Sequence, residues 1–413
     1  MKLNINQSLL DKVALRVPEI LLPNKTVDLK KWAVVACDQF TSEPEYWSEV
    51  ARITQNSAST FHIIFPEVYL EEDGKEERIK DINQTMKSYL EQKVLSDPME
   101  GFVLVRRTMK NGTIRTGLMV ALDLEKYDYH AGSSAMIRAT EKTVMERIPP
   151  RVQIRKDAPI ELPHVLVLID DPAFSVIEPL LSRYEKPDYQ LYETELMMDG
   201  GHLSAYRINE IDTIHGIANA LACLIKEDGY LYAVGDGNHS LATAKQCWEN
   251  LKKALSSDEL DKHPARYALV ELNNVHDQGL LFEPIHRVMF DVDPADLKEF
   301  LSGNGKEVQM VQGSKSETLR LKDYPSHLCV GVLQALLDEY LNKHPESKID
   351  YIHGEKSLRK ISDSDDRLGF LLASMDKADL FTTVSVDGAL PRKTFSMGEA
   401  EEKRYYFECR KIR

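Results

Sequence analysis

Leu231-Tyr-Ala-Val-Gly-Asp-Gly-Asn-His-Ser240, followed by Leu241-Ala-Thr-Ala-Lys-Gln-Cys-Trp-Glu-Asn250, is the stretch on which the fold turns. An apolar, β-prone run stops at Gly235-Asp-Gly237, and a helix-forming segment begins at once. Two glycines let the backbone turn sharply and approach a ligand closely. Asn238, His239 and Ser240 then fall at the helix start, where open N–H groups and the positive dipole end favour an anion. Asp236 comes at the carboxyl end of the strand, a place suited to a metal-binding or catalytic carboxylate. The same residues would also serve a plain joint in which Asp236 or Asn238 caps the helix. Asp, Asn, His and Ser together exceed what a cap needs, so the stretch reads as a phosphate-handling turn.

Outward from this turn the pattern is mixed. Trp32-Ala-Val-Val-Ala-Cys37 reads as an early buried strand ending at Asp38. Residues 76–95 are polar with helical spacing. Gly101 to Arg107 and Thr113 to Leu122 flank Asn111-Gly112, the signature of a hairpin with a type I′ turn. His164 to Ile169 is a buried strand ending in Asp170-Asp171. Residues 211–226 form a helix, 230–235 and 267–272 strands, and 241–255 a helix. A hairpin followed by strand–turn–helix units predicts α+β or mixed α/β, with a mixed sheet rather than a doubly wound one. Turn-rich Asp291 to Ser314 suggests a boundary: a main domain over 1–290 and a smaller α/β lobe over 291–413. In that lobe helices are expected near 331–343 and 364–377 and a strand near 380–386. The Leu390–Met397 and Arg404–Arg410 segments are expected to return to the main sheet.

Composition narrows the class. The chain has 413 residues, 43% hydrophobic and 29% charged, as an ordinary globular protein does. No apolar run reaches a membrane span of about 20 residues, and the opening segment is broken by Asp, Lys, Arg and Pro, unlike a signal peptide. Cys37, Cys223, Cys247, Cys329 and Cys409 are scattered without CxxC spacing, which fits a reducing cytoplasm and no structural zinc. A net charge of −14 opposes a long nucleic-acid footprint but not a nucleotide, which needs only a few local donors and Mg²⁺.

Three further clusters carry chemistry. Arg138-Ala-Thr-Glu141-Lys142-Thr143, read as a helix face, sets cations beside a carboxylate, suited to a phosphate with a general base or equally to a salt-bridged surface. Glu283-Pro-Ile-His286-Arg287 reads as a corner presenting an imidazole and a guanidinium to an oxyanion, or as a satisfied structural histidine. Leu390-Pro-Arg392-Lys393-Thr394 could clamp a phosphate or lie at the surface. Asp38 and the Asp170-Asp171 pair are strand-end carboxylates that could hold Mg²⁺. There is no GxxxxGK[ST], HExxH or GxSxG, and Gly235-x-Gly237 lacks the third glycine of a dinucleotide fingerprint.

The turn resembles the Ala-Asp-Gly-His-His-Arg-Tyr-Glu-Thr-Ala form of a bacterial and archaeal family, domain of unknown function number 1015. The likeness continues through Arg138–Thr143, Pro284–Arg287 and Leu390–Thr394 in the same order. Its Asp-Gly-His-His-Arg element is in turn similar to that of ParB/sulfiredoxin-like proteins, including kinases of free L-serine. Asp236, Gly237 and His239 match; Asn238 stands for the first His and Ser240 for the Arg, which removes a bidentate phosphate ligand.

These resemblances imply a cytoplasmic small-molecule kinase using ATP or ADP with Mg²⁺, free L-serine being the leading acceptor. Asp236, His239 and Glu141 would be catalytic. Gly235, Gly237, Asn238, Ser240, Arg138, Lys142, His286, Arg287, Arg392 and Lys393 would bind the nucleotide, and Asp236 and Asp38 the metal. Asp38 is an alternative to Glu141 as acceptor of the hydroxyl proton. The partners implied are a nucleotide and a small substrate, without nucleic acid or membrane, and the oligomeric state stays open. The alternative is a nucleotide- or metabolite-binding regulator that kept the pocket and lost turnover, which Asn238 and Ser240 favour.

Overall fold

The computed structural model describes residues 3–70, 72–141, 143, 145, 148–391 and 393–413. The chain divides into two units, one of residues 1–139, 143–280 and 399–413, the other of 140–142 and 281–398. Each is mixed or antiparallel β with helices, so the protein is mixed α/β.

In the first unit the main sheet runs, in spatial order, Gln190–Glu195, His202–Ile208, Phe102–Thr108, Ile114–Asp123, Tyr267–Asn274, Leu166–Ile169, Tyr232–Asp236, Ile137–Ala139 and Tyr127–Asp128. The first five are antiparallel neighbours. Tyr267–Asn274 and Leu166–Ile169 are parallel, and Tyr232–Asp236 returns antiparallel to the latter. Both faces of this sheet are covered. Phe102 and Leu104 join one core with Val120, Val167 and Leu272, whereas Val103 and Val105 join a second with Met119 and Leu269. Strands buried on both faces read as continuous apolar runs, which is why they were legible without alternation. The Asn111-Gly112 hairpin forms in the expected place, pairing Thr108 with Ile114. Its loop differs: only Gly112 is left-handed, and Met109 N donates to Thr113 O. A type I′ turn needs two left-handed residues.

Three expectations are corrected. Trp32–Cys37 is not a sheet strand: Leu29–Trp32 is a short helix capped by Asp28, and Val35 makes a single antiparallel bridge to Arg404. The tail does return to the first unit, but Cys409–Lys411 pairs with Glu19–Leu21 and Ile160–Glu161 in a separate four-stranded sheet. Arg138 does not open a helix: Ile137–Ala139 is a strand, held parallel to Tyr232–Asp236.

The second unit begins before the turn-rich stretch, because Phe282–Phe290 pairs with Lys348–His353 and Arg367–Leu371. The supposed boundary at 291–314 is instead the helix Pro294–Leu301, capped by Asp293, and the strand Ser302–Gln312. The helix Cys329–Lys343 falls where expected. The next two elements are exchanged: Arg367–Leu371 is a strand and Asp379–Asp387 a helix. Gly369 lies so close to Val311 that a Cβ would sit 2.7 Å from its Cγ2, so that strand is set by its neighbours. Leu380, Phe381, Thr383 and Val384 are buried at helical spacing, and left-handed Gly388 ends the helix, overriding the β-branched composition. Phe395–Met397 pairs with Phe282–Pro284, so the 390–397 segment stays in this unit.

Under the main sheet of the first unit lies a buried carboxyl with a measurable consequence. Burial pushes the Glu408 carboxyl up to about 7, although Tyr192 donates to it at 2.8 Å. A carboxyl raised in the folded state stabilises fully below its unfolded pKa, and that stability is lost as pH climbs from about 4.5 through 7. Glu408→Gln is therefore expected to match wild type in urea unfolding at pH 4.5. At pH 8 it should exceed wild type by roughly 2–3 kcal/mol. Equal stability at pH 8 would mean that Glu408 ionises there without cost.

Candidate functional site

The Tyr232–Asp236 strand ends at an irregularity between Val234 and Asp236, which turns Asp236 out of register opposite Leu166. Gly237 follows at φ +79°, and the helix Asn238–Leu251 starts directly. A Cβ on Gly237 would lie 2.5 Å from the His164 carbonyl oxygen, so both the backbone angle and the close approach require glycine. No side chain caps this helix. Asp236 Oδ1 accepts from Gly237 N at 2.8 Å, and Asn238 Nδ2 donates to Val234 O at 3.4 Å. The plain capping joint is thus not what forms.

Asp236 Oδ2 faces two groups of the same unit, Lys403 Nζ at 3.1 Å and His164 Nε2 at 3.5 Å. These are ion-pair distances without hydrogen-bond geometry, and Asp236 Oδ2, His164 Nε2 and Asn238 Oδ1 are all buried polar atoms lacking a hydrogen bond. His164 Nδ1 lies 3.0 Å from the Arg404 carbonyl. A carbonyl only accepts, so Nδ1 carries the proton and Nε2 is the atom turned to Asp236. Burial would raise the Asp236 carboxyl, but Lys403 and His164 outweigh it and hold it far below the usual carboxylate range. The pair thus favours the anionic form of Asp236, which suits it to holding cations rather than to taking up a proton.

His164, Ser240 and Thr243 border a cavity of about 160 Å³, whose other walls carry Cys37, Arg151 and Tyr405. The 403–405 segment brings Lys403 and Tyr405 here by pairing with residues 34–36: Ala36 N donates to Lys403 O and Tyr405 N to Val34 O. Burial and then Asp38 push the Cys37 thiol up to about 12, against the pull of Arg151. Its burial therefore favours the thiol over the nucleophilic thiolate. Asp38 accepts from Gln39 Nε2 at 2.9 Å and lies 3.7 Å from Arg151, which also pairs with Glu67.

Of the residues singled out in the sequence, Asp236, Gly237, Asn238, Ser240 and Asp38 belong to this neighbourhood. His239 is half-buried in the first helical turn, and Thr243 donates to its carbonyl. Gly235 sits at the strand irregularity. Arg138 is buried, bonded to Ala135 O and Asp228, with its guanidinium 4.3 Å from the Tyr230 ring centre. In the second unit, Glu141 forms a single parallel bridge with Leu390. His286 and Arg287 are not at a corner but inside the Phe282–Phe290 strand, and both are buried. His286 Nδ1 accepts from Leu372 N, and Arg287 donates to Gln334 and the Lys393 carbonyl. Burial lowers the His286 pKa. Lys393 is exposed and left-handed at φ +57°. Lys142 and Arg392 lie outside the described residues.

The strand-end carboxylates separate. Tyr232–Asp236 runs antiparallel to Leu166–Ile169, so Asp236 and Asp170 mark opposite ends of the sheet. Asp170 pairs with Lys226 at 2.6 Å and His276 at 2.7 Å, and Asp171 accepts from Ser175 N and Val176 N. Among the described residues no three acidic, His or Cys groups gather as a metal cage. Two members of the site were missed in the sequence. His164, just after Pro163 at the start of an apolar run, offered a weak signal. Lys403, one cation in the charge-rich 399–404 segment, offered none.

A family model described as "Protein of unknown function (DUF1015)" matches residues 21–405. The chain belongs to that family. Comparison with curated proteins gave no match. Among solved structures, a conserved hypothetical protein from Pyrococcus furiosus aligns at 10% identity and TM-score 0.34, covering 71% of this chain and 95% of its own. A variant free serine kinase in complex with AMP aligns at 10% identity and TM-score 0.39, with 71% and 91% covered. Another, in complex with ADP, aligns at 11% and 0.38, with 71% and 92% covered. No helix among the described residues is long and apolar enough to cross a membrane.

Proposed function

We propose that this member of the family transfers a phosphate from ATP to a small-molecule hydroxyl, with free L-serine first among the acceptors to assay. One observation carries the reading: an uncapped helix start after left-handed Gly237, set beside Lys403, Asp236 and His164 with three buried polar atoms lacking hydrogen bonds. A phosphate would meet the positive dipole end of this helix and the Lys403 ammonium.

In the reaction the acceptor oxygen bonds to the γ-phosphorus, the bond from that phosphorus to the β–γ bridging oxygen breaks, and ADP leaves. Catalysis is then mostly positioning and charge stabilisation. Asp236 fixes Lys403 and His164 about the phosphate, His239 donates to a phosphate oxygen, and Asp38 takes the hydroxyl proton. Bound Mg²⁺ would supply charge neutralisation on the nucleotide phosphates. Asp38 and Asp236 each already face a protein cation, so either would hold the metal only together with those phosphates.

The second reading, a nucleotide-binding regulator, is favoured by Asn238 and Ser240 standing where the family form has His and Arg. A thermal-shift series with ATP, ADP, GTP and pyrophosphate plus Mg²⁺ tests what both share. A ligand at about 100 times its Kd adds about 2.7 kcal/mol of stability. No rise with any of the four removes both readings; a rise without turnover on any acceptor selects the regulator.

A further inference from the structure

The cavity beside the turn is lined chiefly by apolar side chains, among them Ile63, Phe65, Met86, Leu162, Leu241 and Leu269. Its volume, about 160 Å³, matters as much as its lining. Apolar cavities of about 150 Å³ stay dry and accept a benzene-sized molecule. Polar groups reach it on more than one wall: Ser240 from the first helical turn, His164, whose Nε2 is turned to Asp236, and Arg151 and the Arg155–Glu161 pair, whose charges already have partners. Leu241 and Ala244 place another wall along the flank of the same helix. An occupant would therefore bury a compact apolar body within about two helical turns of the helix start. A zwitterion the size of serine has no apolar body large enough to cover these walls.

From this we infer that the ligand of the phosphate turn carries an apolar group of about one six-membered ring, or a branched chain of similar size, seated in this cavity. The inference rests on the phosphate reading above and names the chemistry that site selects. Such a group has two sources, the body of the acceptor alcohol or the base of the nucleotide.

Thermal shift separates them. The probes are 2-phenylethanol, 3-methyl-1-butanol, adenosine and L-serine, each titrated against wild type, Ala244→Met and Ala158→Leu. Ala244 and Ala158 are buried on different walls, so one filled variant remains informative if the other folds badly. Pyrophosphate is run in parallel as a probe of the turn alone. The expected result is a concentration-dependent rise in Tm for the alcohols or for adenosine, weakened at least tenfold in midpoint by either substitution, with the pyrophosphate response unchanged. A rise with the alcohols assigns the cavity to the acceptor, and a rise with adenosine assigns it to the base. The inference is overturned if only serine raises Tm, if none of the probes does, or if the rise survives both substitutions. A missing pyrophosphate response in wild type would instead remove the phosphate reading on which it rests.

Discussion

Asp236→Asn should slow phosphate transfer by about 10²–10³-fold, the usual loss when one preorganised transition-state contact is removed. The carboxylate sits between Lys403 at 3.1 Å and His164 at 3.5 Å, and its own Oδ1 fixes Gly237 N. Asparagine retains the shape and the acceptor for Gly237 N but removes the charge that orients Lys403. The ammonium then loses its ion pair at Oδ2, and a bound phosphate meets a cation that is less firmly oriented. His239→Ala removes a different donor from the same helical turn and should cost a similar factor. The assay follows ADP release with serine, other hydroxy amino acids and small alcohols. Because Asp236 is partly buried against Lys403, melting temperatures must be compared so that lost folding is not read as lost chemistry. Full activity in both variants would take this turn out of the mechanism.

Glu161→Gln should cost about 3–5 kcal/mol of folding stability, the range for removing one partner from a buried ion pair. Glu161 is almost wholly buried and accepts from Arg410 Nε at 2.9 Å, Arg410 Nη2 at 2.7 Å and Leu269 N at 2.8 Å, with Arg155 also paired to it. One carboxylate thus ties the tail strand Cys409–Lys411, the strand Ile160–Glu161, the helix Ile148–Arg155 and the main-sheet strand Tyr267–Asn274. Burial alone would raise this carboxyl, but Arg410 and Arg155 outweigh it and lower its pKa. A lowered carboxyl stabilises fully above the unfolded pKa near 4.5 and loses that stability as pH falls through the folded value. The deficit of the variant in urea unfolding should therefore be full at pH 7 and shrink on acidification. A deficit under 1 kcal/mol at pH 7 would show that the arginines find other partners.

The two sites differ in how they could be read. Gly235-Asp-Gly237 announced itself, because a strand stop, a left-handed turn and a helix start are all local events encoded by neighbouring residues. The strands Phe102–Thr108, Ile114–Asp123 and Tyr267–Asn274 were legible because both faces are buried and the runs are apolar throughout. Where local propensity and packing disagreed, packing won. Leu380 to Val386 has β-branched composition but forms a helix, and Arg367–Leu371 becomes a strand because two neighbouring strands bond to it. The Arg138 and His286-Arg287 clusters looked like phosphate ligands, yet within their own units their polar atoms meet Asp228, Leu372 N and Gln334. Nothing local to those residues reveals such partners, which lie 47–90 residues away.

By itself, then, the sequence determined the mixed α/β class, the strand–turn–helix through Gly235-Asp-Gly237 and the family. The tertiary structure alone decided what surrounds Asp236. His164 comes from the segment leading into the neighbouring strand Leu166–Ile169, and Lys403 from a segment that pairs with residues 34–36 nearly 370 positions earlier. A charge placed by such long-range pairing leaves no periodicity in the chain, because the spacing that matters is the spacing across the sheet.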